Sequence, residues 1–154
     1  MKKFILACCG LAVLAWGAVD ARAQGGAATR GPDPTVVGDA ELEKEAAHNL
    51  EVAKHYFKLK KAYRAALTRS EEIVAGYPNF SRMDYALYIA GMSNLYLAEG
   101  KGKQKSDVPA DKLREEARMY LSRLVENHPD SEFRRSAEEE LRKLGPSAKP
   151  EAKP

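Results

Sequence analysis

Apolar residues recur every three or four positions through the middle of this 154-residue chain, with polar residues between them. That spacing places the apolar side chains on one face of a helix, so the pattern predicts an all-α protein. Most of the predicted helices end at a glycine, a proline or a polar loop. Five helices are expected, from a cap at Asp39 to about Lys60, then over residues 62–75, 81–99, 109–128 and 131–144.

One arrangement of residues occurs twice, in the second and fourth predicted helices. In each copy a small residue is followed at positions +4, +7 and +12 by a helix-face side chain, an aliphatic side chain and a proline. The small residue lets a neighbouring helix approach closely, and the proline ends the helix. This spacing is typical of the second helix of a tetratricopeptide-type repeat. The two copies are Ala66–Ser70–Ile73–Tyr77–Pro78 and Ala117–Leu121–Leu124–His128–Pro129.

The helices therefore group into a tetratricopeptide-type helical-repeat array of about two and a half repeats over residues 39–145. The fifth helix has a thin apolar face and a charged outer face, which suits the last helix of an array. Such arrays need about three repeats for stability, so we expect this one to rely on a partner or on self-association. Repeat arrays of this type bind proteins or peptides and rarely catalyse reactions.

The first 23 residues have the parts of an export signal. Lys2 and Lys3 supply positive charge, residues 4–19 form an apolar run, and Ala21-Arg22-Ala23 is a small-x-small cleavage site. The chain is therefore predicted to lose residues 1–23 and to be exported to the periplasm.

Cys8 offers an alternative, because the residues before it loosely resemble a lipoprotein processing site, in which the cysteine would carry a lipid. Only four apolar residues precede Cys8, and the apolar run continues well beyond it, which favours cleavage after Ala23. Both cysteines, Cys8 and Cys9, lie in the segment to be removed. The exported chain would then have no disulfide, no thiolate nucleophile and no cysteine-ligated metal.

Two segments of low complexity flank the helices. Residues 24–38 are rich in Gly, Ala, Pro and Thr and are predicted to be a flexible linker, and residues 146–154 a disordered tail. Without residues 1–23 the chain has 22 basic and 21 acidic residues. This balance gives no electrostatic reason to expect nucleic-acid binding.

The third predicted helix contains a more specific pattern, Asp84-Tyr85-x-x-Tyr88-x-x-Gly91-x-x-Asn94. This pattern resembles the BamD family, the repeat-containing lipoproteins of the outer-membrane β-barrel assembly machinery. The resemblance extends over residues 47–144, but BamD proteins have more repeats and a clear lipid-attachment motif, so the chain resembles a shortened member. The further matching stretches are Glu51-Val52-Ala53-x-x-Tyr56, Tyr63-x-Ala65-Ala66-x-x-Arg69, Tyr77-Pro78 and Ala117 to Asp130-Ser131.

The resemblance implies a periplasmic adaptor, associated with the outer membrane through its partners. Those partners would be a barrel-assembly subunit or an unfolded barrel precursor. The resemblance also implies an extended loop between the third and fourth helices, where residues 100–108 lie. The alternative is a protein-binding module of another envelope system, such as secretion, pilus assembly or cell-wall remodelling.

Partner-binding residues are expected on the first helix of each pair, since those helices line the concave side of such arrays. His48, Glu51 and His55 share one face of the first helix, because three- and four-residue separations match the helical period. A metal site would need further ligands, and the sequence offers none nearby. A solvated or groove-lining face is therefore favoured over metal binding.

Polar and aromatic residues of the third helix are further candidates. Tyr85, Tyr88, Met92 and Tyr96 fit either the core or a peptide groove, and at least one is expected to face the groove. Asn94 lies in an apolar helix, where a buried amide must bond to a neighbouring helix or to a ligand backbone. Gly91 is expected where two helices approach closely.

Charged residues suggest local pairing or solvation. Arg69 is expected to pair with Glu71 or Glu72, the alternative being an acidic partner. The basic stretches 58–61 and 101–105 are expected to be solvated, and the second could instead contact anionic headgroups or an acidic partner.

Catalysis is not expected from this chain. It has no nucleophile elbow, no phosphate-binding glycine loop and no HExxH motif. Its carboxylates are spread over helix faces, so neither a metal nor a cofactor is predicted.

Overall fold

The computed structural model describes residues 34–146, and no strand occurs between these two residues. The predicted all-α fold is therefore confirmed. The predicted export signal, the lipidation alternative at Cys8 and the tail beyond residue 146 lie outside the described residues. The five helices are α1 (Pro34–Lys54), α2 (Tyr63–Gly76), α3 (Met83–Ala98), α4 (Ala110–Asn127) and α5 (Arg134–Leu144).

Helix α1 begins before its predicted start. It begins at Pro34, so Asp39 lies within the helix and is not its N-cap, and the last residues of the predicted linker are helical. Proline suits the first turn of a helix because its φ is already helical and the N–H that it lacks would have had no partner there.

The other end of α1 is also irregular. The helix continues as a π-helical segment over His55–Lys60, and the amide of Ala62 donates to the carbonyl of Tyr56 at 3.0 Å. Lys61 then takes a left-handed conformation with a φ of 49°. This lysine-rich turn joins the two helices of the first pair.

The repeat found in the sequence is also present in the backbone. The amide of Tyr77 donates to the carbonyl of Ile73 at 3.0 Å. In the second copy, 51 residues later, the amide of His128 donates to the carbonyl of Leu124 at 2.9 Å. The backbone angles of Tyr77 (φ −132°, ψ 67°) and His128 (φ −129°, ψ 68°) are nearly the same. Both helices therefore end in the same turn, which confirms the predicted repeat.

A serine in each turn between repeats bonds to a carboxylate of an earlier helix. The amide of Ser81 donates to Glu43 Oε2 at 3.1 Å, and its hydroxyl bonds to the same carboxylate. In the next turn the hydroxyl of Ser131 donates to Asp84 Oδ2 at 2.7 Å. These bonds tie the start of α3 to α1 and the start of α5 to α3.

Helix α3 is the centre of the array. It packs against both α2 and α4, and twelve of its sixteen residues are buried. At Gly91 an added Cβ would lie 2.7 Å from Cγ and Cδ2 of Leu121 and 3.4 Å from the carbonyl oxygen of Ala117. The predicted close contact at Gly91 is therefore confirmed, and it is made with α4.

Helices α2 and α4 are joined by a polar contact. The hydroxyl of Tyr120 donates to Glu71 Oε1 at 3.3 Å. Burial raises the pKa of Tyr120 to about 12, and the negative charge of Glu71 adds to the shift. Burial also raises the pKa of Glu71, and the hydrogen bond from Tyr120 partly opposes this.

The substitution Gly91→Ala is expected to lower the free energy of unfolding by about 1–3 kcal/mol, because the added methyl overlaps Leu121. The better helix propensity of alanine offsets up to about 1 kcal/mol of a larger steric cost. Urea denaturation of the full chain measures the change. Gly76→Ala is the control, since an added Cβ there meets nothing within 4 Å; equal destabilisation by both substitutions would contradict the packing argument.

The contact between Tyr120 and Glu71 predicts a loss of stability at alkaline pH. Between pH 10 and about 12 the folded chain keeps a Tyr120 proton that the unfolded chain releases, so stability falls as the pH rises through that window. Tyr120→Phe should remove this part of the loss, and Glu71→Gln should reduce it because the carboxylate charge is gone. Thermal unfolding midpoints across the window test this, and an unchanged slope in Tyr120→Phe would refute it.

Candidate functional site

Residues of α1, α3 and the entry to α5 meet around the ring of Tyr85, which is only 7% exposed. Three cations surround this ring. The Nζ atoms of Lys54 and Lys58 lie 5.5 and 5.4 Å from its centroid, and Cζ of Arg82 lies 5.6 Å from it. Cations at this distance are attracted to the electron-rich face of an aromatic ring. The Tyr85 cluster is defined as Lys54, Lys58, Arg82, Tyr85, Tyr88 and Phe133.

Phe133 joins α5 to the two tyrosines of α3. Its ring stacks on Tyr85 with centroids 4.3 Å apart and on Tyr88 with centroids 4.7 Å apart. Burial is the main cause that raises the pKa of Tyr88, while a hydrogen bond with Ser136 of α5 lowers it. The three rings therefore form one stacked aromatic group, and the three cations lie around its Tyr85 ring.

The cations of the Tyr85 cluster differ in their acidic partners. Lys54 pairs with Glu51 at 2.5 Å, and Arg82 pairs with Glu132 at 2.9 Å. Lys58 makes no ion pair within residues 34–146, and a hydrogen bond with Tyr85 is the main cause that raises its pKa. Among the three, Lys58 has the ammonium group most available to a partner.

The structure places the predicted α1 residues on the exposed side of this helix. His48, Glu51 and His55 are all exposed, and Glu51 reaches the Tyr85 cluster through its ion pair with Lys54. Between residues 34 and 146 no three His, Cys, Asp or Glu side chains are grouped so as to hold a metal ion.

Besides Tyr85, two predicted site residues are buried. Met92 is 6% exposed and Asn94 is 0% exposed, so neither is placed to touch a partner. Asn94 follows Gly91 by three residues and shares its helix face, which packs closely on α4. Neither polar atom of the Asn94 amide has a hydrogen-bond partner among the described residues, so the bond to a neighbouring helix that the sequence suggested is absent there.

Arg69 lies away from the cluster. It is exposed on α2 and pairs with Glu72 at 2.7 Å. The local pairing expected from the sequence is thus confirmed.

Four members of the Tyr85 cluster were not predicted as site residues. Lys54 and Lys58 follow Glu51 by three and seven residues, in α1 and in the π-helical segment that continues it. The helix face shared with Glu51 was the signal that could have indicated them. Arg82 and Phe133 lie in the turns before α3 and α5, and no local pattern brings these turns to α1. Only the tertiary fold shows that they meet.

Phe133→Ala is expected to lower the free energy of unfolding by about 2–3 kcal/mol, somewhat less than for a fully buried phenylalanine. Amide hydrogen exchange should accelerate most in α5, because Phe133 stacks on two rings of α3. Phe133→Leu, which keeps an apolar side chain, should have a smaller effect. Unchanged exchange in α5 would show that the stack does not hold this helix.

A protein-family match covers four of the six residues of the Tyr85 cluster. Residues 74–146 match the YfiO family, described as outer membrane lipoprotein. The match spans just under half of the 154-residue chain and includes α3, α4 and α5. No curated protein and no solved structure matches the chain.

Within residues 34–146 no helix has the length and apolar character needed to cross a membrane. The family match supports the resemblance to BamD-type outer-membrane lipoproteins and an association with the cell envelope. By sequence, the chain is similar to the outer membrane lipoproteins of the YfiO family from the end of α2 through α5.

Proposed function

We propose that this protein is a helical-repeat adaptor of the cell envelope, which binds partner proteins during outer-membrane protein assembly. The observation that carries the proposal is the match of residues 74–146 to the YfiO outer membrane lipoproteins. The matched segment contains Tyr85, Tyr88 and Phe133. The proposed partner is a barrel-assembly subunit or an unfolded barrel precursor, bound on the face formed by α1, α3 and α5.

The chemistry of the Tyr85 cluster supports binding on this face. Lys58 offers an exposed ammonium group to a carboxylate or a carbonyl of the partner. Lys54 and Arg82 are already held against the Tyr85 ring, so binding there costs little additional side-chain entropy. Exposed Glu51 and His55 add polar groups that can favour one partner over another.

The short array gives a second reason to expect a partner. Residues 34–146 contain five helices, fewer than the six of a three-repeat array, which is about the minimum for a stable one. Contact with a partner, or with a second copy of the chain, would bury more of the exposed helix faces.

Site-specific photo-crosslinking in the native envelope tests the proposed face. A photoreactive amino acid at position His55 or Lys58 is expected to trap the partner, because both residues are exposed at or beside the Tyr85 cluster. Met119 in α4 is the matched control, since it is 56% exposed on an even-numbered helix. Mass spectrometry identifies the trapped proteins.

The expected result is a barrel-assembly subunit or barrel precursors trapped from positions 55 and 58 and not from position 119. Equal trapping from position 119 would reject the proposed face. Recovery of only secretion, pilus or cell-wall components would reject the role in outer-membrane protein assembly.

A further inference from the structure

The turn between α1 and α2 lies against the loop between α3 and α4. A Cβ on Gly102 would be 2.8 Å from the carbonyl oxygen of Lys61 and 2.8 Å from Cδ2 of Tyr63. Beside this contact, an ion pair of 3.2 Å joins Arg64, at the start of α2, to Asp107 of the same loop. Residues 59–61 and 101–105 therefore form one continuous surface, which we call the lysine surface.

The lysine surface concentrates five lysines, and only one of them has an acidic partner among residues 34–146. Neither of its two stretches contains an acidic residue, and all of its residues are exposed. Lys101 pairs with Glu99 at 2.6 Å. Four further lysines of the surface make no ion pair within the part of the chain that the structure describes: Lys60, Lys61, Lys103 and Lys105.

Lysines on the remaining helix surfaces, apart from Lys58, are all ion-paired. Each of them pairs with an acidic residue three or four positions away on its own helix. Apart from Lys58, which contacts Tyr85, the unpaired lysines of residues 34–146 are thus confined to one surface. These four paired lysines are Lys44, Lys54, Lys112 and Lys143.

An apolar side chain projects from the same surface. Leu59 lies between two lysines and is 73% exposed, more than any other large hydrophobic side chain described as exposed. An exposed aliphatic group among lysines suits the boundary of a bilayer, because the leucine can enter the acyl region while the ammonium groups stay at the level of the lipid phosphates.

The same composition argues against a nucleic-acid surface. Single-stranded nucleic acids are bound by exposed aromatic rings and by arginines that stack on the bases. The aromatic rings beneath the lysine surface face the core. Tyr63 is 9% exposed, and its ring centroid lies 4.7 Å from that of Tyr96.

We propose that the lysine surface binds the headgroups of an anionic phospholipid membrane, with Leu59 inserted at the interface. The lysine surface shares no residue with the Tyr85 cluster, although Lys58 of that cluster directly precedes Leu59. The vesicle experiment below contains no partner protein, so its outcome does not depend on the partner proposed above.

Vesicle sedimentation with the full chain tests the proposal. The readout is the ratio of the partition coefficients on phosphatidylglycerol-containing and on pure phosphatidylcholine vesicles. The apolar run near the N-terminus is the same in every variant, so its contribution cancels when variants are compared. The wild-type chain is expected to prefer the anionic vesicles.

Two triple variants with the same change of charge are compared. Lys60→Gln/Lys61→Gln/Lys103→Gln should lower the ratio by at least about tenfold, since each lysine near an anionic surface contributes a factor of roughly five. The control Lys44→Gln/Lys112→Gln/Lys143→Gln should change the ratio by no more than about twofold, because those exposed lysines lie on other helix surfaces.

Leu59→Ser separates a membrane surface from a general polyanion surface. It should weaken binding to anionic vesicles by about tenfold through the lost apolar contact. Any binding of the wild-type chain to a single-stranded DNA oligonucleotide at the same salt should not change in this variant. Equal ratios for the two triple variants would overturn the proposal. Tight DNA binding together with an unchanged vesicle affinity of Leu59→Ser would also overturn it.

Discussion

The close packing of α3 on α4 at Gly91 is the contact on which the rest of the structure depends. Helix α3 supplies more of the core than any other helix among residues 34–146, and it also carries Tyr85 and Tyr88. Leu121 occupies the space that a side chain at position 91 would need. Steric fit against Leu121 therefore sets the position of α3, and the Tyr85 cluster depends on that position because its two tyrosine rings project from this helix.

The features that the sequence predicted well are local. The helices follow from the spacing of apolar residues, and the repeat follows from a small residue and a proline twelve positions apart, as in Ala66 to Pro78. The pairing of Arg69 with Glu72 spans three positions. The start of α1 at Pro34 was missed because a proline-containing, glycine-rich stretch fits a linker as well as the first turn of a helix.

The candidate site could be predicted only in part, because it is not local. Tyr85 and Tyr88 were candidates, but periodicity alone could not show that Met92 and Asn94 face the core. Phe133 lies far from Tyr85 in the chain, and the turn after α4 brings the two rings together. Positions of this kind depend on how the repeats stack, which no local pattern of residues records.

The serine–carboxylate bonds at the two turns have a consequence for how the array responds to force. The same kind of bond joins α1 to α3 at Ser81 and α3 to α5 at Ser131. Tilting one odd-numbered helix relative to the next would strain one of these bonds. A force that tilts α1 relative to α3 would therefore be opposed at Ser81, and one that tilts α3 relative to α5 would be opposed at Ser131.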